Sequence, residues 1–144
     1  MKIQRAIGGI FCDDIREDVN GKISLIGCYT GGMQVTEFPA TLPKLCVLVR
    51  LICSAHEPPK TIVFRVLRDD EELLKGELPE EAMPPLAPAD ADESAMGMVH
   101  GQFILSPFEL TGPCTVRVRA IVDGQEIRGL SLPISLHAGA EAPK

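Results

Sequence analysis

The sequence predicts an all-β protein, a Greek-key, immunoglobulin-like β-sandwich of seven to nine strands. Apolar residues recur mostly at every second position, which is typical of strands that bury one face. Turn signals such as Asn20-Gly21 and Asp123-Gly124 separate the short apolar runs. No long amphipathic helix is predicted, so the strands are expected to pack as two sheets. The chain has no Trp, and no disulfide between sheets is expected, so an antibody-type domain is not predicted.

The length predicts one domain. The chain has 144 residues, within the usual size of a single domain. We expect residues 1–136 to form the sandwich and residues 137–144 to form a flexible tail with nothing to bury. The segment 79–95 is acidic and rich in Pro and Ala, which predicts a long surface loop with room for one helical turn.

The first predicted hairpin starts at the N-terminus. Residues 3–12 are predicted to form a strand in which Gly8-Gly9 marks a bulge or a point of close packing. Asn20-Gly21 favours a type I′ turn, because both central positions of that turn need a positive φ. Residues 22–30 would then form the return strand.

Further strands follow at short intervals. Residues 33–36 are expected to form a short edge strand, and the following prolines, Pro39 and Pro43, predict a crossing loop. Residues 45–55 are apolar nearly throughout and predict a central strand. The remaining predicted strands are 61–68, 73–78, 96–105, 114–122 and 126–136.

Charge and cysteine usage predict the cellular setting. The net charge of −6 argues against a general nucleic-acid or anionic-membrane binder. The N-terminal apolar run is broken too soon, by Asp13 and Asp14, to be a signal peptide, and no run is long enough for a membrane span. The five cysteines are odd in number and lack C-x-x-C spacing, which favours reduced thiols. We therefore expect a cytoplasmic protein that binds neither nucleic acid nor membrane.

The N-terminal hairpin also carries a resemblance. The stretch C-D-D-I-R-E-D-V-N-G-K-I-S-L-I-G-C-Y, residues 12–29, resembles the N-terminal signature of a family of small bacterial proteins of unknown function. In that family a C-D-x-x-R segment leads through an N-G-K turn into S-L-I-G-x-Y. The similarity continues through the loop at 38–43 to Asp123-Gly124. The resemblance implies a single compact β-sandwich domain in bacterial cells and no known reaction.

The sequence offers little for catalysis. It contains no G-x-S-x-G motif, and no Gly-rich loop precedes a helix that could hold a phosphate group. Its three histidines provide few general acid–base groups. We therefore predict a protein that is not an enzyme, with no catalytic residues and no cofactor.

The acidic segment 13–18 supports the alternative hypothesis, a domain that binds a metal or a small molecule and that could be enzymatic. Carboxylates of this segment could ligate Ca²⁺ or Mg²⁺, but their spacing fits no EF-hand loop. A solvated turn with an ion pair between Asp14 and Arg16 is the structural interpretation. The acids are Asp13, Asp14, Glu17 and Asp18.

Outward-facing arginines are the strongest candidate for binding, and no metal site is predicted. Arg50, Arg65, Arg117 and Arg119 each interrupt an apolar strand. In an immunoglobulin-like strand order, the strands of Arg50, Arg117 and Arg119 would be neighbours in one sheet. Their side chains would then form a cationic stripe that could bind an acidic partner or a phosphate. A solvated face with cross-strand partners such as Glu126 is the simpler interpretation.

Aliphatic residues on the same outward faces favour an interaction surface. Leu48, Leu67 and Ile121 are predicted to share the faces of the arginines, and mixed arginine and aliphatic character is typical of protein interfaces. The sequence therefore predicts a protein-interaction or structural module with an unknown protein partner. An exposed edge strand could also pair with a second copy and form a homodimer.

Overall fold

The computed structural model of the chain describes residues 4–86 and 90–138. Within these ranges the chain forms eleven strands and two single-turn 3-10 helices, at Val19–Gly21 and Glu80–Ala82. The strands in chain order are β1 (Ala6–Glu17), β2 (Ile23–Cys28), β3 (Met33–Val35), β4 (Ala40–Leu42), β5 (Leu45–Ser54), β6 (Ile62–Arg68), β7 (Glu71–Leu78), β8 (Met96–Leu105), β9 (Phe108–Leu110), β10 (Cys114–Val122) and β11 (Gln125–Leu136).

Two sheets enclose one core, which confirms the predicted all-β sandwich. The four-stranded sheet has the order β2-β1-β5-β8, and the five-stranded sheet has the order β3-β11-β10-β6-β7. β4 and β9 form a separate two-stranded ribbon. The Greek-key, immunoglobulin-like topology stays a prediction.

The strand count differs from the predicted seven to nine. The additional strands are the three-residue strands β4 and β9, which pair antiparallel from Ala40↔Leu110 to Leu42↔Phe108. β4 lies inside the segment predicted as a crossing loop, between Pro39 and Pro43. Strands this short bring one or two side chains inside, so no alternating pattern marks them in the sequence.

The core lies where the inward faces of β5, β6 and β10 meet. Val47, Val49 and Leu51 of β5 are at most 2% exposed and pack with Val66 and Val118 of the opposite sheet. Burial of each such side chain stabilises the fold by about 1.5–3 kcal/mol before entropy is subtracted. The alternation predicted for β5 is therefore confirmed on its inward face.

The predicted N-terminal hairpin is confirmed, with a longer first strand. β1 pairs with β2 from Cys12↔Cys28 to Glu17↔Ile23, and Asn20 and Gly21 have φ of 65° and 72° in the turn. The prediction that the first strand ends at residue 12 is wrong. Cross-strand pairing with β2 outweighs the low strand propensity of the acidic residues that follow.

The loop and tail are only partly described. Met83 and Leu86 of the segment 79–95 pack against the core, and Glu80–Ala82 forms the single turn. The His137 amide donates to the Val35 carbonyl at 2.7 Å, so the start of the predicted tail is held to β3. Residues 87–89 and 139–144, which belong to the predicted loop and tail, lie outside the described residues. Where the chain is described, no helix has both the length and the apolar character needed to cross a membrane.

Candidate functional site

The four predicted arginines are divided between two sheets. Arg50 lies on β5 in the four-stranded sheet, whereas Arg65 lies on β6 and Arg117 and Arg119 on β10 in the five-stranded sheet. The prediction that Arg50, Arg117 and Arg119 lie on neighbouring strands is therefore wrong. β5 pairs with β1 and β8, while β10 pairs with β6 and β11.

The five-stranded sheet aligns a row of cations on its outer face. Arg65 of β6 lies opposite both Lys75 of β7 and Arg119 of β10. Arg119 in turn lies opposite Arg128 of β11. Directly opposite residues share a face, so four cations lie side by side across four strands. We call this row, together with Arg117, the arginine face.

Three carboxylates partly neutralise the arginine face. The Arg65 Nε lies 2.6 Å from a Glu72 oxygen, and its Nη1 lies 3.7 Å from Glu126. Arg128 lies 3.9 Å from Glu126. The Lys75 Nζ lies 3.1 Å from Glu77, so cations still outnumber carboxylates in this set.

Arg117 and Arg119 carry the excess positive charge. Neither takes part in an ion pair among residues 4–86 and 90–138. Within the described part of the chain, the Arg119 Nη1 donates to the Val118 carbonyl alone, at 3.1 Å. Partial burial and the positive charges of Arg128 and Arg117 lower the pKa of the Arg119 guanidinium. An anion at this position would relieve that repulsion.

Aliphatic residues border the cations, as the sequence predicted for two of them. Leu67 lies opposite Arg117, and Ile121 lies opposite Val63. Leu67 is 8% exposed, whereas Val63 and Ile121 are half-buried. Leu48, the third predicted aliphatic, lies on the other sheet and is fully buried. The arginine face therefore combines charge with apolar area, which is common at protein interfaces.

Arg50 occupies the outer face of the four-stranded sheet. Its neighbours across the strands are Gly8 of β1 and His100 of β8. The Arg50 Nε is buried and makes no hydrogen bond within the described part of the chain. Partial burial and the Arg50 charge lower the pKa of His100, which keeps the imidazole neutral near pH 7.

The same outer face exposes large apolar side chains that sequence reasoning missed. Met96, Met98 and Ile104 of β8 are 59%, 45% and 53% exposed, and Ile26 of β2 is 46% exposed. The register places all four on the face that points away from the core. A signal was present in the sequence, because the strand M-G-M-V-H-G-Q-F-I-L contains no Asp, Glu, Lys or Arg.

The acidic segment 13–18 is occupied by contacts within the protein. The Asp14 carboxylate accepts from the Lys44 ammonium at 2.8 Å, which lowers the pKa of Asp14. The predicted pair of Asp14 with Arg16 is wrong, because Arg16 lies 3.2 Å from Asp18 instead. The Asp18 carboxylate also accepts from the Ser24 hydroxyl.

Asp13 is held by the neighbouring strand. The Tyr29 hydroxyl donates to the Asp13 carboxylate at 2.7 Å, and burial with this bond raises the pKa of Tyr29 to about 12. Asp13, Asp14 and Glu17 lie within β1 and not in the turn. In the described ranges no group of three or more His, Cys, Asp or Glu is arranged to hold a metal ion.

One cleft in the described part of the chain offers no unpaired cation for a ligand. It has a volume of about 770 Å³ and lies between the N-terminal segment and the β10–β11 hairpin. Its cations are already paired, since Arg5 lies 2.8 Å from Asp123 and Arg128 lies near Glu126. The cleft therefore gives little support to the small-molecule alternative.

Three cysteines form a row across the four-stranded sheet. Cys12 of β1 lies opposite Cys28 of β2 and opposite Cys46 of β5. All five cysteines are free thiols. Burial and the two neighbouring thiols raise the pKa of Cys12 to about 11, so this thiol stays protonated at neutral pH.

Comparisons with known proteins place the chain in a family. No curated protein matches it. The model of DUF6941, described as a family of unknown function, matches residues 9–135. The match extends from β1 to β11 and so includes both faces described above. The chain therefore belongs to the DUF6941 family of unknown function.

Proposed function

We propose that the protein is a non-enzymatic interaction module that binds an acidic protein partner through the arginine face. The observation that carries this proposal is the excess of positive charge at Arg117 and Arg119, neither of which forms an ion pair among the described residues. Like charges on adjacent strands destabilise a sheet, so this arrangement costs the free protein stability. A carboxylate-bearing partner would offset that cost on binding.

The proposed partner is a protein, not a nucleic acid. The chain as a whole carries a net charge of −6, which repels a polyanion at distances beyond the arginine face. The half-buried Val63 and Ile121 provide apolar area beside the guanidinium groups. A protein segment that presents both carboxylates and apolar side chains matches this combination.

The cellular setting belongs to the same proposal. We infer a bacterial, cytoplasmic protein. Two observations support this, namely the resemblance of residues 12–29 to a bacterial signature and the five free thiols.

Charge reversal on the arginine face tests the proposed function. The variant Arg117→Glu with Arg119→Glu should lose acidic proteins that the wild-type chain captures from lysate of its source cells, as measured by quantitative mass spectrometry. A capture that depends on these charges should also weaken as salt is raised, because exposed charges are screened. Nuclease treatment of the lysate excludes capture through nucleic acid.

A matched control separates local from overall charge. Lys22→Glu with Lys60→Glu changes the net charge by the same amount at exposed positions away from the arginine face. This control should capture the same proteins as the wild-type chain, and circular dichroism should show that both double variants fold. Equal capture by all three chains would contradict the proposed function.

A further inference from the structure

We propose that β8 is a strand-addition edge at which a second copy of this chain pairs antiparallel and forms a dimer. The proposal is independent of the arginine face, which lies on the other sheet. It rests on the backbone of β8, on its missing edge protection and on its neutral sequence.

The backbone of β8 has one unpaired side. β8 is the outer strand of the four-stranded sheet and pairs with β5 over ten residues without interruption, from Met96↔Ser54 to Leu105↔Leu45. The Ala55 amide donates to the Ala95 carbonyl at 2.9 Å in the same register. Hydrogen-bonded pairs alternate in an antiparallel ladder, so the odd-numbered residues of β8 bond to β5.

The even-numbered residues of β8 therefore direct their amides and carbonyls away from the sheet. The outward amides belong to five residues, and nothing in the described ranges bonds to them: Met96, Met98, His100, Gln102 and Ile104. The side chains of the same residues are exposed on the outer face. As far as residues 4–86 and 90–138 are concerned, a whole row of backbone donors and acceptors is thus open to another strand.

The outer strands of the two larger sheets differ in how well they are protected against pairing with a further strand. β3 has only three residues. β7 carries three glutamates and a lysine, and its pairing with β6 is interrupted by a bulge at Val66/Leu67. β2 has six residues and contains Gly27 with φ of 70°. Natural edges are protected by shortness, charge or irregularity, and β8 alone among these four strands has none of the three.

A second copy fits this edge because β8 is neutral and self-complementary. In a two-fold contact each residue meets the same surface of the other copy, so a charged strand would face its own charge. β8 has no Asp, Glu, Lys or Arg, and its His100 is neutral near pH 7. A register centred on His100 pairs all the outward amides and brings Met96 of one copy opposite Ile104 of the other.

The size of the contact sets the expected affinity. One strand pair with its flanking Met and Ile side chains buries less than the roughly 1,200 Å² of a standard interface. We therefore expect a dimer with a micromolar Kd, which must be measured at high micromolar protein concentration.

Sedimentation velocity on the full chain tests the proposal with a matched pair of variants. In the register centred on His100, Ile104→Lys replaces the apolar side chain that faces Met96 of the other copy. This contact occurs twice in the dimer, so its loss at both ends should raise the dimer Kd by about 100-fold. Ile26→Lys makes the same substitution at an exposed Ile on the same outer face, but on the opposite edge strand β2. It should leave the dimer intact. A monomeric wild-type chain, or a dimer that Ile104→Lys leaves unchanged or that Ile26→Lys dissociates, would overturn the proposal.

Amide hydrogen exchange on the wild-type chain gives a second test that needs no variant. The Met98, His100, Gln102 and Ile104 amides should become protected as the protein concentration rises, while the odd-numbered amides of β8 are protected throughout. Fast exchange of the four amides in a dimeric sample would refute strand addition at β8. A dimer formed through another surface would leave the four amides in fast exchange. A chain that binds a foreign peptide at β8 instead of a second copy would sediment as a monomer.

Discussion

At the scale of single residues, Gly9 shows how one missing side chain permits a strand pairing. A Cβ built on Gly9 would lie 1.9 Å from the Leu48 carbonyl oxygen, and its φ of 155° is one that other residues rarely adopt. The close packing predicted at Gly8-Gly9 is confirmed at Gly9. Nothing lies within 4 Å of a Cβ built on Gly8. The two adjacent glycines are therefore a natural test and control.

We expect Gly9→Ala to lower the free energy of unfolding by about 3 kcal/mol, because the backbone of β5 cannot move away without breaking its pairing. Gly8→Ala should change it by less than about 1 kcal/mol. Urea denaturation followed by circular dichroism measures both. Equal losses in the two variants would show that the contact with Leu48 is not the cause.

Asp123 fixes the turn between β10 and β11 to the loop before β6. Its carboxylate accepts from the Lys60 amide at 2.8 Å and the Thr61 amide at 3.0 Å, and it pairs with Arg5 at 2.8 Å. These backbone amides and Arg5 lower the pKa of Asp123. The carboxylate therefore stabilises the fold above the unfolded pKa of about 3.9, and this contribution is lost as the pH falls through the lower folded pKa.

Asp123→Asn should accordingly lower the free energy of unfolding at pH 7 by about 1 kcal/mol, because Asn tolerates the same turn but has no charge. Denaturation of both chains from pH 7 downward measures the difference. It should shrink towards zero once Asp123 is protonated in the wild-type chain. A difference that stays constant with pH would assign the effect to the turn instead of the charge.

The cysteine row predicts unequal thiol reactivity. Cys28 is exposed, whereas Cys12 and Cys46 are fully buried and burial raises the pKa of both thiols. In the native protein at pH 7, iodoacetamide should therefore modify Cys28 at least tenfold faster than Cys12, by an order-of-magnitude estimate from exposure and thiolate content. Mass spectrometry of peptides reports each site. Similar rates at Cys12 and Cys28 would mean that β2 separates readily from β1.

At the scale of strands, the cations of the arginine face that we propose to bind a partner also repel one another and so destabilise the free protein. Arg119 lies directly between Arg65 and Arg128, whereas Arg117 lies opposite Leu67 and Ser131. Arg119→Gln should therefore raise the free energy of unfolding by about 0.5 kcal/mol, because cross-strand like charges are removed. Arg117→Gln is the matched control and should have little effect. Thermal and urea unfolding test this, and destabilisation by Arg119→Gln would contradict the proposed repulsion.

The same strands show why the site could be predicted only in part. Alternation correctly placed Arg65, Arg117 and Arg119 outward. It could not identify Arg128, because strict alternation along β11 would place Arg128 on the same, inward face as the buried Leu132. The register shift between Arg117 and Arg119 changes the face of β11 on which Arg128 lies. A bulge depends on the pairing of two strands, so neither strand's own sequence reveals it.

At the scale of the whole molecule, dimerisation through β8 would link stability to concentration. A dimer that binds only the folded chain stabilises it by mass action. The Tm of the wild-type chain should therefore rise by about 2 °C for each tenfold increase in protein concentration. The Tm of Ile104→Lys should stay constant over the same range. A constant wild-type Tm in the range where sedimentation shows a dimer would contradict this linkage.

The sequence by itself determined the all-β class, the main strands and their inward faces, because apolar alternation and turn residues are local signals. It also determined the turns at Asn20-Gly21 and Asp123-Gly124, where the backbone needs positive φ. Only the tertiary structure decided which strands are neighbours, and thereby separated Arg50 from Arg117 and Arg119 and left β8 unprotected at an edge. Sheet order depends on contacts between residues far apart in the chain, and local propensity does not encode them.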